Sequence, residues 1–277
     1  MPLQLAVSTP EGMVAEHLLF EGQPYHIGRA ETADIVIDHP QVSRRHAILS
    51  NNDDKQWALN DTSSTGCFCD GERVTLLPIG DEQSISIGPV ACRLKPISNL
   101  DVEKVESQQI WRKLQLRRYR SQLNESDDSI SLIQVARECM LQSLGCERAA
   151  LILLDEQTGF QQGLGYEPWM DAEGFSGSRT VIKNVIKTRT PLALGNLKAD
   201  QRYALQASVI QNNILAALCV PILVENQVVG VLYGDNTIGR QYFTETDVSF
   251  AVSMANFLSL RLLFHSIDHK ISLLHRS

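Results

Sequence analysis

The stretch Gly28-Arg29-Ala30-Glu31-Thr32-Ala33-Asp34-Ile35-Val36-Ile37-Asp38-His39-Pro40-Gln41-Val42-Ser43-Arg44-Arg45-His46, followed by Asp61-Thr62-Ser63-Ser64-Thr65-Gly66-Cys67-Phe68-Cys69-Asp70-Gly71, decides how the first third of the chain folds. Its centre, Ile35-Val36-Ile37, is an apolar run closed by Asp38-His39-Pro40, which predicts a short buried strand and then a turn. Arg29 before it and Ser43-Arg44 after it fall on loops. A phosphate presents up to two negative charges and three acceptor oxygens, so its receptor needs a guanidinium, a short hydroxyl and backbone N–H groups aimed at one point. Arg29, Ser43 and Arg44 supply those types, provided that folding sets residue 29 beside 43 and 44. Each piece is commonplace alone; the three in register carry the reading.

In that register, Gly28-Arg29, Ser43-x-x-His46 and Ser64-Thr65-Gly66 resemble the forkhead-associated (FHA) domain, a phosphothreonine-peptide reader. The resemblance implies that Arg29 meets the phosphopeptide, that the Ser43 hydroxyl bonds the phosphate and that Arg44 is a second cation there. Ser64, Thr65 and Gly66 become further peptide contacts, while Gly28 and His46 support the loop from inside. The family usually carries asparagine before the glycine, to bond the peptide main chain. Here that position is Thr65, whose hydroxyl lacks the paired donor and acceptor of an amide, so a weaker or altered grip is expected.

Outside this stretch, residues 1–98 read as an all-β sandwich. Short apolar runs at 3–7, 17–20, 25–27, 47–49, 57–59, 85–87 and 91–94 alternate with Gly, Pro, Asn and Asp clusters. Asp70-Gly71 between Phe68-Cys69 and Arg73-Val74 predicts a type I′ hairpin, because glycine tolerates the positive φ such a turn requires. Residues 99–127 change texture: Asp101 to Asn124 has neither Gly nor Pro, and Val102, Val105, Gln109, Leu116 and Leu123 fall near heptad positions, with Ile110 and Leu114 beside them. This predicts a helical connector. Its cations Arg112, Lys113, Arg117, Arg118 and Arg120 read as a solvated face.

Residues 128–277 form the second predicted domain. Ile130, Ile133, Ala136, Met140 and Leu144 follow helical spacing up to Gly145, a left-handed helix end. An apolar strand spans 149–154, and Ser178 is the expected cap of a helix carrying Val181, Ile182, Val185 and Ile186 before Pro191. Strands 218–224 and 228–233 form a hairpin, and Thr244-x-x-Asp247 opens a long last helix as a capping box. The expected fold is α+β, with helices on one face of an antiparallel sheet. Ser178-Arg179-Thr180-Val181, Leu218 to Ile222, Val229 to Tyr233 with Asp235-Asn236, and Phe243 to Asp247 resemble a GAF domain. Members of that family bind small molecules or act as dimerisation and relay modules. Phe160, Tyr166, Trp169 and Phe175 line a ligand pocket, pack a core or form a lid, and the sequence does not choose.

Composition narrows the function classes. With 277 residues the chain suits two domains, and a formal net charge of -7 argues against nucleic acid as a partner. No apolar stretch approaches the roughly 20 residues that span a bilayer, and no signal-like segment opens the chain, so a cytoplasmic location without membrane contact is expected. Six cysteines without Cys-x-x-Cys spacing read as small buried hydrophobes, and no metal site is expected. In a strand Cys67 and Cys69 share a face. No nucleotide phosphate loop, nucleophile elbow or zinc-protease motif occurs, so the chain reads as non-enzymatic and without a cofactor. The resemblances imply a cytoplasmic signalling homodimer, of bacterial type, whose partner is a phosphothreonine-bearing protein such as a Ser/Thr kinase or its substrate. Two alternatives stand beside it: the regulatory half of a transcriptional regulator or cyclase, and a scaffold with an inactive phosphate site.

Overall fold

A computed structural model describes residues 1–8, 13–51, 56–126, 128–155, 159–170, 176–195, 214–239 and 242–274. The chain forms two compact units, Met1–Gln109 and Ile110–Ser277.

The first unit is a β-sandwich of β1 (Leu3–Ser8), β2 (Val14–Leu19), β3 (Tyr25–Gly28), β4 (Ile35–Val36), β5 (Ala47–Asn51), β6 (Trp57–Asp61), β7 (Cys67–Cys69), β8 (Glu72–Val74), β9 (Leu76–Ile79), β10 (Gln83–Ile87) and β11 (Val90–Pro96). One sheet has the order β2-β1-β11-β10-β7-β8 and the other β4-β3-β5-β6-β9. Successive strand residues point to opposite faces, so Leu3, Leu5 and Val7 turn inward together, as do Ile85 and Ile87. They meet Ile27, Leu49, Trp57 and Leu59 in one core. The same alternation corrects the expectation of a uniformly buried 35–37 run: Ile35 and Ile37 are buried and Val36 between them is exposed. β4 pairs in parallel with β3, whereas the other strand pairs of this unit are antiparallel. Asp70 and Gly71 both have positive φ, 51° and 84°, as a type I′ turn requires.

Helix α1 (Asn99–Glu125) begins in the first unit and ends in the second. In the second unit, α2 (Ser129–Leu144) is capped by Asp128, which accepts from the Ser131 N–H, and is closed by Gly145 at φ 64°. Strands β12 (Arg148–Asp155), β13 (Gly159–Leu164), β14 (Leu192–Gly195), β15 (Ala216–Val224) and β16 (Gln227–Asn236) form an antiparallel sheet in the order β13-β12-β16-β15-β14. Helices α3 (Ser176–Thr188) and α4 (Glu245–Leu274) complete the unit. α3 starts at Ser176, so the expected cap Ser178 lies inside its first turn.

The helices do not share one face of the sheet. Val181, Ile182 and Val185 of α3 pack with Ala150, Ile152, Cys219, Val231 and Tyr233. Gly234 points the other way, where an added Cβ would meet Cys146 and Met140 of the α2 end. β15 shows why both faces must be covered, since Ala216 to Ile222 are buried without alternation. Tyr166 and Trp169 pack against the α3-side core; the Phe160 side chain and all of Phe175 lie outside the described residues. Asp235 is fully buried and is neutralised by Arg148, whose Nε and Nη2 each lie 2.7 Å from a carboxylate oxygen, while the Tyr233 hydroxyl donates to the same group.

Within the second unit, α1 runs alongside α4 in the same direction. Arg112 pairs with Asp247 at 2.7 Å, the Arg120 guanidinium stands 5.7 Å from the Phe257 ring centre, and Arg261 Nη2 donates to the Ser126 carbonyl. Arg112 is therefore not part of a solvated cationic face: it answers the fully buried Asp247, whose other oxygen accepts from the Thr244 N–H and hydroxyl in the capping box. The heptad residues divide too. Val102 and Leu123 are buried, Val105 and Leu116 half-buried and Gln109 exposed, and Ile110 and Leu114 beside them are exposed.

The expectation that no stretch reaches membrane-spanning length is also corrected, because Glu245–Phe264 is long and apolar enough by length and composition. Ala251, Met254, Ala255 and Leu258 in that window are buried, and α4 packs on β15, so its apolar face has a place in the unit's own core.

Replacing Arg112 by Ala removes the guanidinium from a buried carboxylate and should destabilise the second unit by about 3 kcal/mol. Arg117→Ala, at an exposed position, should change stability by less than about 0.5 kcal/mol. Urea unfolding of the full chain, followed by far-UV circular dichroism, separates the two.

Candidate functional site

The candidate site lies where β3, the β4–β5 loop and the β6–β7 loop meet. Past the end of β3 the chain stays paired, the Arg29 N–H donating to the Ser43 carbonyl (2.9 Å) and the Ala30 N–H to the Arg44 carbonyl (3.1 Å). This pairing brings residue 29 beside 43 and 44. It also explains Gly28, where a Cβ would sit 2.3 Å from the Arg44 carbonyl oxygen; close approach excludes any side chain there. Arg29 Nε donates to the Val42 carbonyl at 3.3 Å, which holds the exposed guanidinium next to Ser43.

His46 is fully buried behind these residues. Its Nδ1 accepts from the Ser43 N–H at 3.0 Å, and its Nε2 is 3.1 Å from the Gly66 carbonyl. A backbone N–H can only donate and a carbonyl can only accept, so the ring is the neutral tautomer with its proton on Nε2. The imidazole thus ties the loop carrying Ser43 to the loop carrying Ser64, and the two hydroxyl oxygens stand 3.5 Å apart. Thr62 adds a second tie, its N–H and hydroxyl both donating to the His46 carbonyl.

Asp61 and Ser63 shape the second loop and were not among the residues expected from the sequence. Asp61 accepts from the Ser63 N–H (2.9 Å), the Ser63 hydroxyl (2.6 Å) and the Cys67 N–H (3.3 Å), while Ser63 Oγ receives the Gly66 N–H at 2.8 Å. Gly66 has φ 97°, in the left-handed region that glycine adopts without strain. Arg73 reaches back to Asp61 at 3.5 Å and donates to the Ser63 carbonyl. Burial acts to raise the Asp61 pKa, but the hydrogen bonds from Ser63 and Cys67 outweigh it and hold the carboxyl below its ordinary value. The Asp-x-Ser spacing is an Asx-turn signal that was available in the sequence.

Arg29, Ser43, Arg44 and Ser64 are therefore gathered at one end of the sandwich, with Thr65 exposed beside them and Gly66 buried. Two hydroxyls and two guanidiniums suit an anion rich in acceptor oxygens. General-base chemistry does not suit the site, because both nitrogens of the buried imidazole are engaged. His46, Asp61 and Cys67 also lie within 4.8 Å of one another, a spacing that resembles a metal set. Their chemistry is that of a brace: the imidazole and carboxylate are hydrogen-bonded as described, and burial, aided by Asp61, pushes the Cys67 thiol up to about 12.

Comparison with known proteins agrees with both resemblances. Residues 25–88 match the FHA domain family and residues 129–262 the GAF domain family. The chain carries an FHA domain followed by a GAF domain. The FHA domain-containing protein FhaB of Mycobacterium tuberculosis (strain CDC 1551 / Oshkosh) is 33% identical over 94 residues, which are 32% of this chain and 59% of that protein. Among solved structures, FHA-1 of Mycobacterium tuberculosis Rv1747 aligns at 26% identity over 34% of this chain and 97% of its own, with a TM-score of 0.30. The Slr1951 protein from Synechocystis sp. aligns at 30% identity over 35% of this chain and 98% of its own, with a TM-score of 0.32.

Gly28→Ala should force the 43–44 peptide to move and lower stability by about 1–3 kcal/mol, read by urea unfolding. Because the folded pKa of Asp61 is depressed, its contribution to stability is present above its unfolded pKa near 3.8 and is lost as pH falls through the lower folded value. Asp61→Asn should accordingly flatten the pH dependence of Tm below about pH 4, as measured by thermal unfolding across an acid series.

Proposed function

We propose that this protein is a non-enzymatic signalling adaptor whose FHA domain binds a phosphothreonine-bearing partner. FHA domains mediate phosphothreonine-dependent protein interaction. The observation that carries the reading is the pair of hydroxyls, Ser43 and Ser64, fixed 3.5 Å apart by the buried His46 between Arg29 and Arg44. In this reading Ser43 and Ser64 donate to the phosphoryl oxygens, and Arg29 and Arg44 neutralise the charge. Thr65 gives the peptide main chain one hydroxyl where an amide would offer two groups.

The GAF domain is proposed to pair two copies of the chain. Ile110, Trp111 and Leu114 on α1 and Leu260 and Phe264 on α4 are exposed apolar residues of the second unit, and burying them against a second copy would remove that surface from water. Two sites in one dimer would bind a doubly phosphorylated partner with raised effective concentration.

A phosphothreonine peptide library, titrated against the full chain by fluorescence anisotropy, tests the first part. Arg29→Ala should weaken binding at least tenfold, since a charge-assisted hydrogen bond contributes roughly 1.5–3 kcal/mol. Arg29→Lys should recover only part of that loss, because an ammonium lacks the guanidinium fork. Equal affinity for phosphorylated and unmodified peptides would overturn the assignment. For the second part, sedimentation equilibrium should show a dimer that Trp111→Glu converts to monomer.

A further inference from the structure

A cavity of about 160 Å³ adjoins the candidate phosphate site at Arg44. Ala30 and Ala33 line it with the buried Ile27 beneath, and His26, Thr32, Arg44 and Arg45 are its exposed polar lining. The loop pairing that sets residue 29 against 43 and 44 also builds this cavity, so Arg44 belongs to both places. Its small alanines leave room that longer side chains would fill.

The charge here runs against that of the chain. The protein carries a formal net charge of -7, yet two adjacent guanidiniums line one small cavity. Among the described residues neither Arg44 nor Arg45 has a carboxylate partner. Of the two acids in the lining loop, Asp34 accepts the His26 N–H at 2.8 Å, and the exposed Glu31 forms no ion pair with either arginine. Two cations without a carboxylate partner and with a hydroxyl at hand favour an anion.

From this the geometry points to a second anion subsite, at Arg45, Arg44 and Thr32, that takes an acidic or phosphorylated side chain next to the phosphothreonine of the partner. The inference rests on the phosphothreonine reading above and narrows it to partners with clustered negative charge. Arg44 bridges the two anions, and Arg45 serves the second alone. Carboxylate and phosphoryl group share the chemistry that the subsite recognises.

The full-length protein is titrated with three kinds of phosphothreonine peptide: neutral flanks, a single glutamate walked through each flanking position, and a second phosphothreonine in the same positions. At one or more positions the anionic peptides should bind roughly tenfold tighter than the neutral one. Arg45→Ala should abolish that gain and leave the neutral phosphopeptide unchanged. Arg45→Glu should reverse the preference towards a lysine flank, and far-UV circular dichroism verifies that both variants fold. A gain with either anion supports the subsite, and a gain with the second phosphate alone assigns it to phosphoryl groups. Selective binding of phosphothreonine with no flank preference, or a preference that survives Arg45→Ala, overturns the subsite alone. Loss of selectivity for phosphothreonine itself overturns the parent reading and the subsite with it.

Discussion

One buried imidazole holds the FHA end of this protein together. His46 takes a hydrogen bond from the Ser43 N–H and gives one to the Gly66 carbonyl, and each partner fixes the tautomer that the other needs. Both backbone groups find their partner in that ring, so the two loops are set together. The spacing of the Ser43 and Ser64 hydroxyls follows from it. The glycines follow as well: Gly28 lets β3 press against the 43–44 peptide, and Gly66 turns its carbonyl towards the ring with a backbone conformation that other residues resist.

The GAF domain solves a different problem, the burial of charge. Asp235 and Asp247 are both fully buried, and each is met by a guanidinium and hydroxyl donors. For Asp235 these are Arg148 and the Tyr233 hydroxyl; for Asp247 they are Arg112 and the Thr244 hydroxyl. A buried carboxylate is tolerable only when its charge and lone pairs are both satisfied. Asp235 therefore fastens the central strand β16 to its neighbour β12, and Asp247 fastens the connector to the last helix.

Much of this was legible in the sequence where short spacing carried the signal. Gly28-Arg29 and Ser43-x-x-His46 identified the loops, Asp70-Gly71 the hairpin, Gly145 the end of α2, and Thr244-x-x-Asp247 the start of α4. Other features depended on distant partners. Arg112 looks like any surface cation until residue 247 is folded against it. Asp61 is passed over when a phosphate site is sought among cations and hydroxyls, because an acid acts there through N–H groups and not through charge. β9 and β14 are short edge strands, one containing Pro78 and the other following Pro191, and proline is tolerated at such edges although it weakens the strand pattern. Helices on both faces of the sheet were missed, although the unbroken apolar run Ala216 to Ile222 fits a strand covered on both sides.

The parallel contact of α1 with α4 has a mechanical consequence. Arg112, Arg120 and Ser126 meet Asp247, Phe257 and Arg261, a nearly constant offset along the two helices. Sliding α1 by one turn, about 5.4 Å, would carry the Arg112 head from Asp247 to the level of Phe243 or Ala251, where neither side chain can receive a guanidinium. Intermediate positions would leave a buried negative charge facing no cation at all. The ion pair therefore fixes the register of the two helices: neither a small slide nor a whole-turn one offers Arg112 another carboxylate, so displacement along this axis breaks the contact outright instead of passing it on.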